Sequence, residues 1–427
     1  MTLLSKGSVI LCARTRTSVL ACLLLITCCG TVMAQSGWTT VDMALNSQDH
    51  TAYGITDGDE TGTAVHMADL NGDGIDDLVI QARVASGPGD TRGTGTGEVY
   101  IRFGTVQYGL TQDYFTQPPD VIIYGVEGGD FMGESLTSGD LNSDGIADLV
   151  LGAPLADGPS NARTGGGEVY VLYGRTSWPA TYDLQDPDPQ ATNADVTVFG
   201  AAETDRLGEG MAVGDINGDL IDDLVLGAIG VDTGTGVNTA YDAGTVYVLY
   251  GGSLGANLEV PGDADVRIDG SVTNDLLGAD LATGDFNGDT FADIAVSIPG
   301  ADGPGDARSD AGGVAIFLGS DILPAVLDYP ADADVLIYGA DSGDNAGEDL
   351  VFGDYNGDAW ADLAIGADLA DGPPASFRSS AGEVALVYGQ EIPPATVDLA
   401  TEASVTVFGA EEGDNLGRSL VLANVNA

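Results

Sequence analysis

The sequence predicts an all-β fold, a β-propeller built from four-stranded blades. A nine-residue acidic loop occurs five times, and its successive starts lie 71, 75, 70 and 69 residues apart. Short segments rich in Val, Ile, Leu and Tyr flank each loop, with glycines between them and no helical period. Recurrence at one spacing indicates an array of one structural unit, and four-stranded units repeated radially form a propeller. A solenoid of the same units is the alternative.

Each unit is expected to contribute four strands. A segment such as 133–139 is the first strand and leads into the loop. The second strand follows the loop and is nearly all apolar, as in Leu149-Val-Leu-Gly-Ala-Pro154, which predicts burial on both faces. The third strand alternates in polarity, as in Glu168-Val-Tyr-Val-Leu-Tyr-Gly174, and is expected to lie between a buried surface and a solvent-exposed one. The fourth is short and ends in an aromatic residue and glycine, as in Val196-Thr-Val-Phe-Gly200.

The acidic loops span residues 69–77, 140–148, 215–223, 285–293 and 354–362. Asp, Asn, Asp and Asp stand at positions 1, 3, 5 and 9 of every copy. Hard cations such as Ca²⁺ take oxygen ligands of this kind, with a backbone carbonyl at position 7 completing the set. The sequence therefore predicts about five structural Ca²⁺ sites. The predicted ligands, loop by loop, are Asp69, Asn71, Asp73, Ile75 and Asp77; Asp140, Asn142, Asp144, Ile146 and Asp148; Asp215, Asn217, Asp219, Ile221 and Asp223; Asp285, Asn287, Asp289, Phe291 and Asp293; and Asp354, Asn356, Asp358, Trp360 and Asp362.

The loop differs from an EF-hand. An EF-hand ends in a bidentate Glu at position 12 and lies between helices. Position 12 is apolar in every copy and belongs to the following strand; the residues there are Ile80, Leu151, Leu226, Val296 and Ile365. Ordinary turn residues would not preserve four oxygen side chains at fixed offsets. We therefore interpret the loop as a strand-to-strand cation loop that Asp at position 9 completes.

The five loops differ at position 6, where a sharp turn requires a positive φ. Gly74 and Gly145 supply it without strain, whereas Leu220, Thr290 and Ala359 occupy the position in the other copies. A positive φ costs a residue with a side chain about 1–2 kcal/mol. Two alternatives follow: these three loops use another backbone path with the help of the glycine at position 4, or they bind the cation more weakly.

The first 34 residues, 1–34, have the pattern of a secretory signal peptide. Basic residues precede an apolar run from Val19 to Ile26, and Val32-Met33-Ala34 supplies a small-residue cleavage site. The run is much shorter than the roughly 20 residues that span a bilayer. A lipoprotein signal ending at Cys28 is the weaker alternative. We therefore expect residues 35–427 to form the mature protein and to be secreted, periplasmic or held at the cell surface, with no transmembrane segment.

Composition excludes several classes of function. All four cysteines precede residue 35, so disulfides and thiolate chemistry are excluded from the mature part. The chain has 13 basic and 66 acidic residues, a formal charge of −53, which would repel nucleic acid and anionic lipid. His50 and His66 are the only histidines, and the sequence motifs of common hydrolases and phosphate-binding loops are missing. We therefore expect a protein that is not an enzyme.

The chain resembles a known repeat family. The aromatic-Gly strand, the calcium loop and a Gly-Ala-Pro stretch, intact at Gly152-Ala-Pro154, are similar to FG-GAP repeats over residues 50–427. Such repeats build the N-terminal seven-bladed propeller of integrin α subunits and occur in many exported bacterial proteins. The resemblance implies a propeller whose loop positions 1, 3, 5, 7 and 9 bind calcium. Four copies depart from it by an incomplete Gly-Ala-Pro, and three by the missing position-6 glycine.

A row of arginines recurs between the second and third strands. Arg92, Arg163, Arg308 and Arg378 each follow a Gly-Pro pair at one repeat position. Strand polarity places this connection opposite the calcium loops, on the same face as acidic turns such as Glu127/Asp130, Glu203/Asp205, Asp341/Asp344 and Glu411/Asp414. The row is expected either to link blades by pairing with those turns or to form a binding rim. Trp178 and Tyr182, on the calcium-loop face, are either packing residues or a sugar-stacking pair.

The leading functional hypothesis is an exported, calcium-binding adhesion or interaction module with an extracellular protein or glycan as its ligand. The alternatives are a lectin-like propeller and an accessory region of a larger extracellular hydrolase. A partial sixth repeat begins at Val405, and Asn424-Val-Asn426 falls where its calcium loop would start. Five full repeats and this partial repeat, 405–427, predict an incomplete propeller.

Overall fold

The computed structural model describes residues 8–15, 19–25, 51–105, 111–113, 117–185, 193–234 and 239–423. Within them the fold is all-β with one α-helix, the four-residue Leu399–Glu402. Short 3₁₀ turns, Pro88–Asp90, Pro159–Asn161, Pro304–Asp306 and Pro374–Ser376, lie in the Gly-Pro connections. The predicted fold class, a propeller of four-stranded blades, is confirmed.

Five antiparallel blades follow one another along the chain, each with an inner, second, third and outer strand in chain order. Blade 1 comprises Thr61–Ala68, Asp77–Ala82, Glu98–Arg102 and Val121–Tyr124. Blade 2 comprises Leu136–Gly139, Asp148–Ala153, Glu168–Leu172 and Val196–Phe199. Blade 3 comprises Leu207–Gly214, Asp223–Ala228, Thr245–Leu249 and Val266–Asp269. Blade 4 comprises Leu281–Gly284, Asp293–Ser297, Gly313–Phe317 and Val335–Tyr338. Blade 5 comprises Leu350–Gly353, Asp362–Ala367, Glu383–Val387 and Val405–Phe408.

The inner strands of successive blades contact one another, and a strand at Ser419–Ala423 continues this series after blade 5. The hydrophobic core lies between the blades. One cluster, for example, joins Ile101 and Val121 of blade 1 to Leu149 and Tyr170 of blade 2. Each blade therefore buries its faces against its neighbours, as a propeller requires.

The second strands are buried as predicted, and all six residues of Asp148–Ala153 are inaccessible. The expectation for the third strands was wrong. In blade 2, all five residues of the third strand, Glu168–Leu172, are buried. The third strands of blades 3, 4 and 5 are also buried throughout and do not alternate between buried and solvent-exposed residues. In blades 1 and 2 the polar residues of the alternation bond to each other, because the Tyr100 and Tyr170 hydroxyls donate to Glu98 and Glu168, and they can therefore be buried. In blade 4 the third strand, Gly313–Phe317, has no polar side chain.

Blades 1 to 4 each carry a fifth strand that the sequence did not reveal. It runs parallel to the outer strand and comes from the connection between the third and outer strands of the next blade. In blade order these added strands are Thr181–Asp183, Asn257–Glu259, Val326–Asp328 and Thr396–Asp398. A separate pair of the same kind joins Thr51–Tyr53 to Thr111–Asp113. Each added strand covers an edge and ties one blade to the next.

A hairpin of Ser8–Thr15 and Val19–Leu25 pairs with Ser419–Ala423. It overlaps the predicted signal peptide, 1–34, which stays a prediction. The expected cleavage site, residues 35–50 and the predicted loop start at 424–426 lie outside the described residues. Across the part that the structure describes, no helix has the length and apolar character needed to cross a bilayer.

Candidate metal centres

Each acidic loop joins the inner strand of a blade to its second strand, and Asp at position 1 organises the turn. In blade 1, Asp69 Oδ1 accepts the N–H groups of Gly72 and Asp73 at 2.8 and 3.1 Å, and its Oδ2 accepts Gly74 N–H at 2.7 Å. The bonds to positions 5 and 6 recur in all five loops. The sequence repeat therefore produces one loop conformation five times.

Positions 3 and 5 are held by shorter turns. Asn71 Oδ1 accepts Asp73 N–H, and Asp73 Oδ1 accepts Ile75 N–H, both at 2.9 Å. The same two bonds occur in the other four loops. These contacts fix the orientation of both side chains while their loop residues stay at the surface.

Asp at position 9 differs from the rest because it is completely buried in every loop; the residues are Asp77, Asp148, Asp223, Asp293 and Asp362. In blade 1, Asp77 Oδ2 accepts Leu70 N–H at 3.0 Å and Oδ1 accepts Gly104 N–H at 2.7 Å. Gly104 follows the third strand, so this carboxylate ties the loop to that strand. Equivalent pairs of bonds recur in the other blades.

Burial of this carboxylate perturbs its titration. Desolvation, reinforced by the charges of Asp73 and Asp69, raises the pKa of Asp77 to about 6, although backbone N–H donors oppose the shift. Desolvation likewise raises the pKa of Asp148 to about 7. Three acidic side chains in one short loop therefore repel one another, and a cation would relieve that repulsion.

The donor set is compatible with Ca²⁺. A carboxylate has about four lone-pair sites, and the hydrogen bonds leave at least one on Asp69, Asp73 and Asp77. Within the described residues, no group of three or more His, Cys, Asp or Glu side chains could hold a metal ion. The carboxylates of Asp69, Asp73 and Asp77 therefore do not form a metal site in this geometry. Ca²⁺ binding by these carboxylates together with the amide oxygen of Asn71 and the carbonyl of Ile75 stays a prediction.

The backbone path is the same in loops with and without glycine at position 6. Gly74 and Gly145 have φ of 84° and 85°, and Leu220, Thr290 and Ala359 have φ of 69°, 79° and 75°. The alternative of a different backbone path is therefore wrong. Position 4 also has a positive φ throughout, and Ser143 adopts it in blade 2 with φ of 61°. The non-glycine residues carry backbone strain of about 1–2 kcal/mol each.

Successive loops are joined into one rim. The position-8 N–H of each loop donates to the position-1 carbonyl of the preceding loop, as from Ala292 to Asp215 at 2.8 Å. At three of the four junctions the apolar side chain at position 7 covers the position-4 glycine of the preceding loop; Ile146 covers Gly72, Phe291 covers Gly218 and Trp360 covers Gly288. A Cβ at Gly288 would collide with the Trp360 indole, so glycine is required there. Position 7 was predicted only as a carbonyl ligand, and the packing role of its side chain was not predicted.

The opposite face carries the arginine row. Arg92, Arg163 and Arg308 bond to Asp183, Glu259 and Asp398, the last residues of the added strands, at 2.5, 2.7 and 2.8 Å. The carboxylates of the acidic turns accept hydrogen bonds from their own turns instead; Asp130, for example, accepts the Glu127 N–H. These three arginines link blades as one hypothesis stated, but the partners predicted for them were wrong.

The aromatic pair on the loop face is part of the packing between blades. Trp178 Nε1 donates to the Leu70 carbonyl at 2.9 Å, and the Tyr182 hydroxyl donates to the Asn193 carbonyl at 2.9 Å. The Arg175 guanidinium lies 5.0 and 5.5 Å from the two ring centres. Both rings are engaged within the protein, which favours the packing interpretation over sugar stacking.

Comparison with known proteins agrees with this architecture. The FG-GAP repeat family matches residues 61–101, 132–172, 277–317 and 346–387, which fall in blades 1, 2, 4 and 5. Phosphatidylinositol-glycan-specific phospholipase D of Bos taurus is 34% identical over 177 residues, 42% of this chain and 20% of the relative. Integrin alpha-PS2 of Drosophila melanogaster is 28% identical over 301 residues, 68% of this chain and 19% of the relative.

The matched segments are therefore about a fifth of these relatives. Among solved structures, the exotype rhamnogalacturonan lyase YesX aligns with a TM-score of 0.38 and 12% identity, over 79% of this chain and 50% of that one.

Blade 3 lies outside the family matches, yet it carries the same loop with the same hydrogen bonds.

Proposed function

We propose that this chain, which has five propeller blades and matches the FG-GAP repeat family in four of them, is an exported, non-catalytic binding module stabilised by calcium. Its five acidic loops would each hold one Ca²⁺ through positions 1, 3, 5, 7 and 9. The bound ions would stiffen the rim of linked loops. A protein or glycan outside the cell would be the ligand of the module.

One observation carries the calcium proposal. Asp at position 1 accepts the position-5 N–H in all five loops, although their sequences differ at positions 2, 4, 6, 7 and 8. Among the residues that the structure describes, the ion pairs involve none of the loop carboxylates at positions 1, 5 and 9. Concentrated negative charge without a protein counter-charge favours an external cation.

The binding proposal rests on relatedness. Integrin subunits and phosphatidylinositol-glycan-specific phospholipase D share the repeat with this chain over a minor part of their length. A module that recurs in proteins of such different kinds is better explained by recognition than by one shared reaction. An accessory region of a larger hydrolase is the second candidate, favoured by the 20% coverage of the phospholipase.

The calcium proposal is tested with two substitutions in one loop. Asp73→Asn changes a proposed ligand, and Asp76→Asn removes the same charge from the exposed position 8. We expect calcium to raise the melting temperature of both variants, with a smaller rise for Asp73→Asn. Equal rises in both variants and the unaltered protein would reject Asp73 as a ligand.

A further inference from the structure

We infer that a cavity between blades 2 and 3 is a binding site for a neutral sugar residue of a glycan. The cavity, termed the blade-3 cavity, has a volume of about 410 Å³, within the range of roughly 300–1,000 Å³ that small-molecule sites occupy. The inference rests on the proposed binding function, whose ligand it narrows to a carbohydrate, and it does not depend on calcium. The side chains that define the site are Asp205, Asp232, Thr245, Tyr247, Arg267 and Asp269.

The pairing of the third and outer strands shows how blade 3 departs from the repeat. In blade 2, Glu168 lies opposite Phe199, and Glu168 accepts the Tyr170 hydroxyl. Blades 1 and 5 have the same types of residue opposite each other, Glu98 with Tyr124 and Glu383 with Phe408. In blade 3 the corresponding residues are Thr245 and Asp269. Both are smaller than the residues they replace, which leaves open space beside these strands.

The same change removes the partner of a buried tyrosine. Tyr247 stands at the position of Tyr170, is 3% exposed and belongs to the same hydrophobic cluster as Val169 of blade 2. Its hydroxyl lacks the carboxylate acceptor that Tyr170 has, because Thr245 stands there and donates to Asp269 Oδ1 at 3.2 Å. Tyr247 lines the cavity, so its O–H is a donor that a ligand can satisfy.

Blade 3 also places a cation beside this tyrosine. Arg267 lies opposite Tyr247, where blade 2 has Thr197 and blade 4 has Leu336. Its Nη2 bonds to Asp269 Oδ2 at 2.7 Å, and its buried Nε has no hydrogen-bond partner among the residues that the structure describes. A buried donor without an acceptor is destabilising, so Arg267 Nε is a second donor whose acceptor a ligand would supply.

Two loop carboxylates supply acceptors. Asp205 Oδ2 accepts the Ala202 N–H at 2.8 Å, and Asp232 Oδ1 accepts the Asp242 N–H at 3.0 Å. A carboxylate has about four lone-pair sites, so each keeps acceptor capacity at its other oxygen. The ion pairs of the described residues include neither carboxylate. The cavity therefore combines two donors that need acceptors with two carboxylates that can accept further bonds.

Hydroxyl groups match this combination, because each donates and accepts hydrogen bonds at one atom. A cationic amine or guanidinium would satisfy the carboxylates but only donates, so it offers no acceptor to Tyr247 and Arg267. An anion would accept from these donors but would be repelled by the carboxylates. Val231 and Pro261 add apolar wall, which suits the C–H groups of a sugar ring. A neutral carbohydrate therefore fits better than an amine or an acid.

The cavity opens on the arginine face. Its lining runs from the exposed Glu203 and Thr204 to the buried Tyr247. In blades 1 and 2 an arginine Nη1 donates to the carbonyl that follows the outer strand. In blade 3 the shorter Thr233 makes this bond, from Oγ1 to the Gly270 carbonyl at 2.6 Å. A guanidinium is therefore replaced by a hydroxyl at the cavity wall, in the blade that lies outside the family matches.

The test uses the full chain and three free sugars, glucose, galactose and mannose, measured by saturation-transfer difference NMR. We expect saturable binding of at least one of them, with a Kd on the order of 1 mM. Tyr247→Phe should weaken it about fivefold and Arg267→Gln about tenfold, because each removes a hydrogen bond. The matched changes Tyr338→Phe in blade 4 and Arg102→Gln in blade 1 should leave the affinity unchanged. The amino and uronic-acid counterparts of the bound sugar should bind about fivefold more weakly or less.

A double variant closes the cavity. Thr245→Glu combined with Asp269→Phe gives blade 3 the residue pair of blade 2, with a carboxylate for the Tyr247 hydroxyl and an aromatic ring in the open space. We expect it to abolish sugar binding without lowering the melting temperature, which is measured for every variant.

Three outcomes would overturn the inference. The first is the absence of saturable binding for all three sugars up to about 50 mM. The second is equal or tighter binding of a charged counterpart, which would reject the ligand class. The third is sugar binding that the double variant retains, which would reject the site while supporting the proposed binding function. The absence of calcium stabilisation, by contrast, would contradict the proposed function alone, so the two can fail independently.

Discussion

The two faces of the propeller neutralise their acidic residues differently. On the arginine face, the carboxylate that ends an added strand meets an arginine in blades 1, 2 and 4. On the loop face, the described loop carboxylates have backbone N–H groups as partners and take part in none of the ion pairs. On the first face the chain itself supplies the counter-charge of these three carboxylates, and on the second we propose that an external cation supplies it.

The largest expected effect is a loss of stability on substitution of the buried Asp at position 9, compared with substitution of the exposed Asp at position 8. Asp77→Ala should lower the free energy of unfolding by roughly 2–4 kcal/mol, because the buried N–H groups of Leu70 and Gly104 lose their acceptor. Urea unfolding in excess chelator measures this loss without any contribution from calcium. Asp76→Ala, at the exposed neighbouring position, should change stability by less than about 0.5 kcal/mol. Equal losses would remove the structural role given to position 9.

The arginine face should be insensitive to calcium. Arg308→Ala breaks the two-bond contact with Asp398, and we expect a loss of roughly 1–2 kcal/mol, limited by partial solvent exposure of both groups. Arg102→Ala, whose contact with Asp120 is longer at 3.4 Å, should lose less than about 1 kcal/mol. Chemical unfolding with and without calcium should give the same loss for Arg308→Ala. A loss that appears only with calcium would contradict the separation of the faces.

Within the loop face, position 6 distinguishes strained from relaxed copies. Leu220 is 90% exposed and has a positive φ, so Leu220→Gly should stabilise the protein by about 0.5–1 kcal/mol after the entropy of glycine is counted. Gly74→Ala should destabilise it by roughly 1–2 kcal/mol. Thermal unfolding of Leu220→Gly, Gly74→Ala and the unaltered protein measures both changes in stability. Destabilisation by Leu220→Gly would show that the leucine is not strained.

The last effect is a pH dependence inside blade 1. Burial raises the pKa of Glu98 from 4.5 to about 7, although the Tyr100 hydroxyl donates to it. The folded state therefore holds this proton more tightly than the unfolded state, and its contribution to stability is lost as pH rises from about 4.5 to 7. Glu98→Gln keeps a hydrogen-bond acceptor and cannot titrate. The stability of the variant relative to the unaltered protein should therefore rise over that interval; a constant difference would contradict the shift.

The sequence predicted the elements that repeat with a strong local pattern. The loops from Asp69 to Asp362, the second strands and the arginine row were located correctly, because their spacing and residue types are themselves the signal. Ca²⁺ at the loops stays a prediction. The sequence left open whether Leu220 follows the same backbone path as Gly74; the hydrogen bonds of Asp at position 1 impose the positive φ there against local preference.

The added strands escaped prediction for a different reason. Thr181–Asp183 is three residues long and pairs with Val121–Tyr124, about 60 residues earlier, so neither length nor alternation marks it. The partner of Arg92 was misassigned in consequence, because its carboxylate lies on that strand. The remaining signal, an acidic residue two places after a Thr, Asn or Val in each third-to-outer connection, could have been found by aligning the connections.

The most direct test of the proposed calcium loops is a titration of the chelator-treated protein with Ca²⁺ by isothermal calorimetry, followed by thermal unfolding. We expect about five bound ions per chain and a higher melting temperature with calcium than with chelator, because the ions would bind the folded state preferentially. No measurable binding together with an unchanged melting temperature would contradict it.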